Sequence, residues 1–189
     1  MAEIRKYKTT DREAVQYVCL ATSVGTSAPM KLTRYILAMY CNYYIDNEPE
    51  NCFVLADDTD RAVGYIICSS DFYKFASGYK NNYLHEIRCT GIWNTIVARG
   101  EIAVHSLFKK SYPAHLHIDI LPEYQHMGFG TRLTDTLMEH LKSSGCKGLH
   151  LICDTGNTDG VNFYKKYGLE QLKRINAKKE DFTIFGRKF

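Results

Sequence analysis

The stretch "HLHIDILPEYQHMGFGTRLTDTLMEHL", residues 115–141, constrains the fold more than any other part of the chain. It opens with period-two alternation, passes a proline and two closely spaced glycines, Gly128 and Gly130, and ends in helical periodicity. Alternation marks a strand and the 3.6-residue repeat a helix, so a strand runs through a glycine turn straight into a helix. The first amides of such a helix lack an intrahelical partner, and the helix dipole puts partial positive charge on them. Glycine at 128 and 130 can take positive φ and lets an anion approach the backbone. The turn therefore reads as a phosphate or pyrophosphate seat. Met127 and Phe129 do not obstruct it, because their amides can point inward while their side chains point out. On the turn alone, a plain strand–helix connector remains open as a second reading. A Walker loop is excluded, since no Gly-Lys-Ser/Thr follows. A Rossmann fingerprint is excluded, since a third glycine and an early strand are missing.

Around this turn the elements come in mixed order. "EIRKYKT" alternates as a first strand, and Thr10 or Asp11 is expected to cap a helix over residues 12–21. "MKLTRYILAMYCNYYI" is a second amphipathic helix, with Leu32, Ile36, Met39, Tyr40 and Tyr43 at helical spacing. "CFVLADD" and "AVGYIICSS", separated by "DTDR", predict a hairpin. Residues 72–112 are aromatic, partly helical, and read as an insertion. After the glycine turn and its helix come the strand "GLHLICD", the short helix "GVNFYKKYG", and two closing strands, "LEQLKRIN" and "DFTIFGRKF". Only residues 115–169 have the strand–helix–strand rhythm of a parallel crossover.

At 189 residues, one domain with a self-sufficient core is expected. A net charge of +3 gives no case for nucleic acid. The C-terminal group of Lys173, Arg174, Lys178, Lys179, Arg187 and Lys188 reads as a solvated edge. The seven cysteines form no CxxC pair, and several sit inside apolar runs. They read as buried small hydrophobes in a reducing compartment. No apolar run reaches a membrane span and the N-terminus lacks a signal core, so a cytoplasmic or nucleocytoplasmic protein is expected, without a membrane partner.

The spacing "QHMGFG" resembles the Gln/Arg-x-x-Gly-x-Gly/Ala signature of the GNAT superfamily of N-acetyltransferases. Pro122 lies shortly before it, as in that family, and "NTDGVNFYKKYGLE" resembles the family's final crossover. There, Asn157, Tyr164 and Gly168 match, Leu169 replaces the usual Phe, and Gly160 the usual Ala. The specific motifs cover about 55 residues, and the rest agrees in element order. More narrowly, "YPAHLHIDILPEYQHMGFG" and "VGYIICSSDFYKF" resemble the acetyltransferase-like domain of O-GlcNAcases and its free-standing bacterial relatives.

The resemblance implies an α/β GNAT fold over residues 1–189, with a mixed, mostly antiparallel central sheet and helices on both faces. It implies acetyl-CoA as cosubstrate. The turn residues Gln125, His126, Met127, Gly128, Phe129, Gly130 and Thr131 would hold the pyrophosphate, mainly through backbone amides. The backbone at Ile118 and Ile120 would pair with the pantetheine arm. The strand "GLHLICD" would splay away to leave a notch for the thioester, and Asn157 would contact the cofactor arm or fix its loop. Tyr164 matches the family tyrosine that protonates the leaving thiolate, against the bland reading of an aromatic packed between helix and sheet.

The base is read from the residues themselves. His115, His117 and Asp119 alternate and so share one strand face, where Asp119 with His117 could relay a proton. A hydrogen-bonded polar core is the structural alternative. A metal could be bound by such a set, but the family needs none, and none is expected. Asp71 is a candidate for holding a substrate cation, and the insertion is expected to wall the acceptor site. Two functions remain open: acetyl transfer to a primary amine by direct attack, or an inactive module that binds acetyl-CoA or a protein partner. The acceptor could be a small molecule, an amino sugar or a protein amine.

Overall fold

The computed structural model describes residues 2–176 and 181–189. Lys178 and Lys179 of the basic C-terminal group lie outside the described residues. The strands are β1 (Glu3–Lys6), β2 (Phe53–Ala56), β3 (Ala62–Ser69), β4 (Ala114–Ile120), β5 (Gly148–Asp154), β6 (Glu170–Asn176) and β7 (Asp181–Lys188). They form one seven-stranded sheet in the order β1-β2-β3-β4-β5-β7-β6. Every neighbouring pair is antiparallel except β4–β5. The parallel pair needs a crossover, and α7 (Phe129–Ser143) supplies it.

The sheet is covered on both faces, and strand alternation decides which residue faces which layer. On β3, Tyr65 and Ile67 join the core beneath α1 (Arg12–Ser23), α2 (Met30–Tyr40) and α3 (Asn42–Asn47), whereas Ile66 and Cys68 join the core beneath α7. On β4, Leu116, Ile118 and Ile120 share the α7 core with Leu133, Leu137 and Leu141. His115, His117 and Asp119 necessarily face the other layer.

Three expectations about local structure change. The second helix breaks at Cys41 (φ −132°, ψ −64°) into α2 and α3. The break shifts the helical phase, and the consecutive Tyr43, Tyr44 and Ile45 are all buried as a result, which a single straight amphipathic helix does not achieve. Asp11 occupies the N-cap of α1 without capping it through its side chain. Its carboxylate instead accepts two hydrogen bonds from Arg5 (2.7 and 2.9 Å) and one from the Lys8 amide (2.8 Å). The insertion is helical from Phe72 to Phe108 but for Gly91: α4 (Phe72–Gly78), a π-helical turn at Tyr79–Tyr83, α5 (Leu84–Thr90) and α6 (Ile92–Phe108). Its Phe75, Tyr79, Tyr83, Ile87 and Ala98 enter the core shared with α1–α3.

A buried carboxylate ties this layer to the sheet. Glu48 is fully buried and accepts from Tyr43 Oη, Asn51 Nδ2, Ser69 Oγ, and both the amide and hydroxyl of Ser70, at 2.6–3.0 Å. With this many donors the charge is compensated, and α3 is pinned to the end of β3.

Candidate active site at the notch between β4 and β5

β4 and β5 pair only at Ala114↔Leu149 and His115↔His150. Beyond that point the strands part, leaving a notch that opens toward the C-terminal end of β4. The Leu121 amide donates to Val63 O (3.0 Å) on the β3 side. Backbone groups alternate along a strand, so those of His117 and Asp119 also face β3, and those of Ile118 and Ile120 face the notch. An extended chain laid in the notch would find these groups as hydrogen-bonding partners.

The glycine turn stands at the mouth. Gln125 Nε2 donates to Ile120 O (2.7 Å), which folds the turn back onto the strand end. His126 (φ 60°) and Gly128 (φ 81°) are both left-handed, and Gly128 is the N-cap of α7. Alternation from left-handed Gly128 to the right-handed helix makes the amide concavity that suits anions. Arg132 is the residue whose amide reaches the Gly128 carbonyl (3.2 Å), so the amides of Phe129, Gly130 and Thr131 precede the intrahelical ladder. A side-chain carbon at Gly130 would lie 3.4 Å from Phe163, so the helix carrying that ring packs closely here. His126 and Met127 are exposed.

That helix is α8 (Thr158–Tyr167). Asn157 is its N-cap, and its side-chain oxygen accepts from the Gly160 amide (2.9 Å). A Cβ at position 160 would come within 2.9 Å of Asn157 Nδ2, which explains glycine at this place. The geometry thus shows Asn157 fixing its own loop. α8 directs Tyr164 toward the sheet, where its ring lies 5.6 Å from that of Phe185. Burial raises the Tyr164 hydroxyl well above the usual tyrosine pKa, and nearby Cys153 and Asp119 raise it further. The hydroxyl therefore keeps its proton at neutral pH.

The polar face of β4 separates into individual contacts. Asp119 accepts from Tyr65 Oη (2.5 Å). Burial pushes its carboxyl up to about 6, against the lowering effect of hydrogen bonds from Tyr65 and Thr22. His117 Nε2 meets Tyr44 Oη (3.0 Å) and lies edge-on to Tyr40 (5.4 Å), with burial holding its pKa down at about 4. The expected Asp119–His117 pairing is not formed: each group has its own tyrosine partner. His115 is fully buried and, among the described residues, neither ring nitrogen has a hydrogen-bond partner. It packs against Phe75 (4.4 Å) and His105 (4.2 Å).

Asp71 does not join this site. It follows β3, whose Ser69 pairs with His115 at the start of β4, whereas the glycine turn follows the other end. β4 has seven residues, so roughly 20 Å of strand separates them. Asp71 Oδ1 accepts from the Tyr73 and Lys74 amides (2.8 and 2.9 Å) and caps α4. With Lys109, Lys110 and Lys147 it lines a cleft of about 450 Å³ at that far end.

One group escaped the sequence reading. Glu101 on α6 accepts from Tyr40 Oη (3.0 Å), and burial raises its carboxyl to about 7. His105, one turn on, meets His150 Nε2 through Nδ1 (2.8 Å), and His150 Nδ1 meets Tyr112 O (2.8 Å). The i,i+4 spacing of Glu101 and His105 was visible, but their contact with β5 was not.

Comparison with known proteins agrees with this geometry. Residues 22–169 match the profile of the acetyltransferase (GNAT) family, and the chain belongs to that family. It is 25% identical over 133 residues to N-alpha-acetyltransferase 30 of Schizosaccharomyces pombe, covering 70% of this chain and 66% of that protein. The crystal structure of SsHAT superposes with a TM-score of 0.84 at 27% identity, covering 99% of this chain and 98% of that one. The fold is also that of the NatC complex bound to Gag peptide and CoA (TM-score 0.61, 11% identity, 100% and 99% coverage). Among the described residues no helix is long and apolar enough to cross a membrane.

Proposed function

We propose that the protein is an N-acetyltransferase that moves the acetyl group of acetyl-CoA to a primary amine by direct attack. The observation that carries this reading is the notch: β4 and β5 part after His115, and the open end of β4 leads into a glycine turn whose amides precede the helical ladder of α7. The turn from Gln125 to Thr131 seats the pyrophosphate, with Gln125 and Asn157 holding the loops in place. The notch-facing backbone of Ile118 and Ile120 pairs with the pantetheine arm, alongside the Gln125 side chain on the Ile120 carbonyl. This brings the thioester between Asp119 and Tyr164.

A primary alkylamine has a pKa near 10.4, so most of it arrives as ammonium. Asp119, with a pKa of about 6, takes the proton and frees the lone pair. The nitrogen attacks the thioester carbonyl carbon, the C–S bond breaks, Tyr164 protonates the departing thiolate, and the proton lost from the attacking nitrogen restores the Tyr164 hydroxyl. A base tuned near working pH suits the first transfer, and Tyr164 brings a protonated hydroxyl to the second. The narrower kinship with the acetyltransferase-like domain of O-GlcNAcases rests on the resemblance of residues 112–130. A reducing, cytoplasmic or nucleocytoplasmic setting completes the reading, supported by the buried free thiols Cys19, Cys41, Cys52, Cys68 and Cys153.

The test is release of free thiol from acetyl-CoA across a panel of primary amines. Amine-dependent release above the hydrolytic background is expected. Acetyl-CoA binding without release to any amine would instead favour an inactive binding module.

A further inference from the structure

Glu101 is a carboxylate that the transfer reaction does not use, on a helix inserted into the fold. Its two oxygens are treated differently. Oε2 accepts from Tyr40 Oη at 3.0 Å. Oε1 faces His105 Nε2 at 4.0 Å, beyond hydrogen-bond reach.

The protonation of that nitrogen follows from its partners. Tyr112 offers His150 only a carbonyl, so His150 Nδ1 carries a proton and Nε2 is an acceptor. His105 Nδ1 must then donate to it, which leaves His105 Nε2 as a lone pair while the ring is neutral. Burial depresses both imidazoles, with the neighbouring histidine a further cause for His105, so neutral rings are the resting state. Two acceptors thus face each other across 4.0 Å. A donor about 2.9 Å from both would subtend roughly 90° at its nitrogen, which a multi-donor ammonium accommodates.

The surroundings suit a cation. Tyr40 is bonded to Glu101, and Glu101 is close enough to Tyr44 and Tyr79 to raise their hydroxyls after burial has done so. The Glu101 side chain retains 16% exposure, against 3% for His105. It also connects with the reaction centre: Tyr40 touches His117, which lies two residues from Asp119 on the same strand face.

We propose that Glu101, His105 and Tyr40 anchor a second cationic group of the acceptor, so that the preferred substrates are short diamines held by one amine at Glu101 while the other reacts beside Asp119. The choice of acceptor rests on the acetyltransferase reading; the anchor itself does not. The Tyr40 and His117 rings lie between the two carboxylates, and the two strand residues from His117 to Asp119 alone span about 7 Å, which favours a linker of four or five carbons over two.

The test is calorimetric titration of the CoA-saturated protein with putrescine, cadaverine, ethylenediamine and butylamine, in wild type and Glu101→Gln. Putrescine and cadaverine should bind about tenfold or more tightly than butylamine, and Glu101→Gln should erase the difference. Equal affinities in wild type, or a preference that survives Glu101→Gln, would overturn the anchor. Tyr40→Phe supplies a second variant and should weaken the diamine preference without touching butylamine. In turnover, Glu101→Gln should raise KM for putrescine and leave kcat for butylamine unchanged. A protein that binds diamines this way but acetylates none of them refutes the acetyltransferase reading and leaves the anchor standing. One that acetylates butylamine and putrescine alike, with or without Glu101, refutes the anchor alone.

Discussion

In the proposed reaction Tyr164 and Asp119 divide the proton work, and their separate environments make the division testable. Tyr164→Phe keeps the ring against Phe185 and removes only the hydroxyl. Turnover should fall on the order of 10²-fold with acetyl-CoA affinity nearly intact. Wild-type rates in this variant would return Tyr164 to a packing role. Asp119→Asn should abolish the limb of the pH–rate profile in which wild type gains activity as pH rises through about 6. Its stability should move the other way. A carboxyl whose folded pKa lies above its unfolded one penalises the fold once pH exceeds the folded value, so the amide should be neutral or stabilising near pH 7 by about 1–3 kcal/mol. A strongly destabilised Asn variant with an unchanged pH profile would make Asp119 structural. His115, buried with neither nitrogen bonded among the described residues, pays for desolvation without return. His115→Leu, of similar volume, should stabilise the protein by about 1–2 kcal/mol, read from denaturant midpoints. A loss of stability would show that the imidazole has a partner in solution.

At the scale of elements, the turn into α7 was legible because its determinants are local. Gly128 and Gly130, the alternation before them and the helical repeat after them all lie within one short stretch, and so does the Asn157–Gly160 cap. Side-chain direction on β4 was also legible, because alternation alone places His115, His117 and Asp119 together. Their partners were not. Tyr65 comes from β3, Tyr44 from α3 and His105 from the insertion, and no local spacing encodes those meetings. Asp71 misled for a related reason: an acid at a strand end can cap the next helix, and here two backbone amides claim it. The helix break at Cys41 carried no glycine or proline to announce it. The turn also yields a prediction. A Cβ at Gly128 would meet nothing within 4 Å, so Gly128→Asp should cost only the left-handed backbone strain, about 1 kcal/mol. It should nevertheless abolish acetyl-CoA binding, since a carboxylate beside the amide cradle repels the pyrophosphate. Unchanged affinity in calorimetry would remove the phosphate seat from the account.

For the whole molecule, two sets of buried groups pull stability in opposite directions with pH. Burial depresses His105 and His115 well below the usual range, and His117 and His150 to about 4. Their contribution is present above an unfolded pKa of about 6.5 and is lost as pH falls toward their folded values. Asp119 and Glu101 are raised to about 6 and about 7, so theirs is present below about 4 and is lost as pH rises through those values. Four histidines oppose two carboxylates across the same window. Melting temperature should therefore fall between about pH 6.5 and 4. A melting temperature that holds or rises on acidification would show that the carboxylates dominate.

The central claim is that acetyl-CoA lies in the notch with its pyrophosphate on the α7 turn. Residue-resolved amide NMR during titration with acetyl-CoA addresses it directly. The largest shifts should fall on Phe129, Gly130, Thr131, Ile118 and Ile120, with none at Asp71 or Lys109. Saturation with acetyl-CoA that leaves those five amides unmoved, or that moves the far cleft instead, would contradict the account.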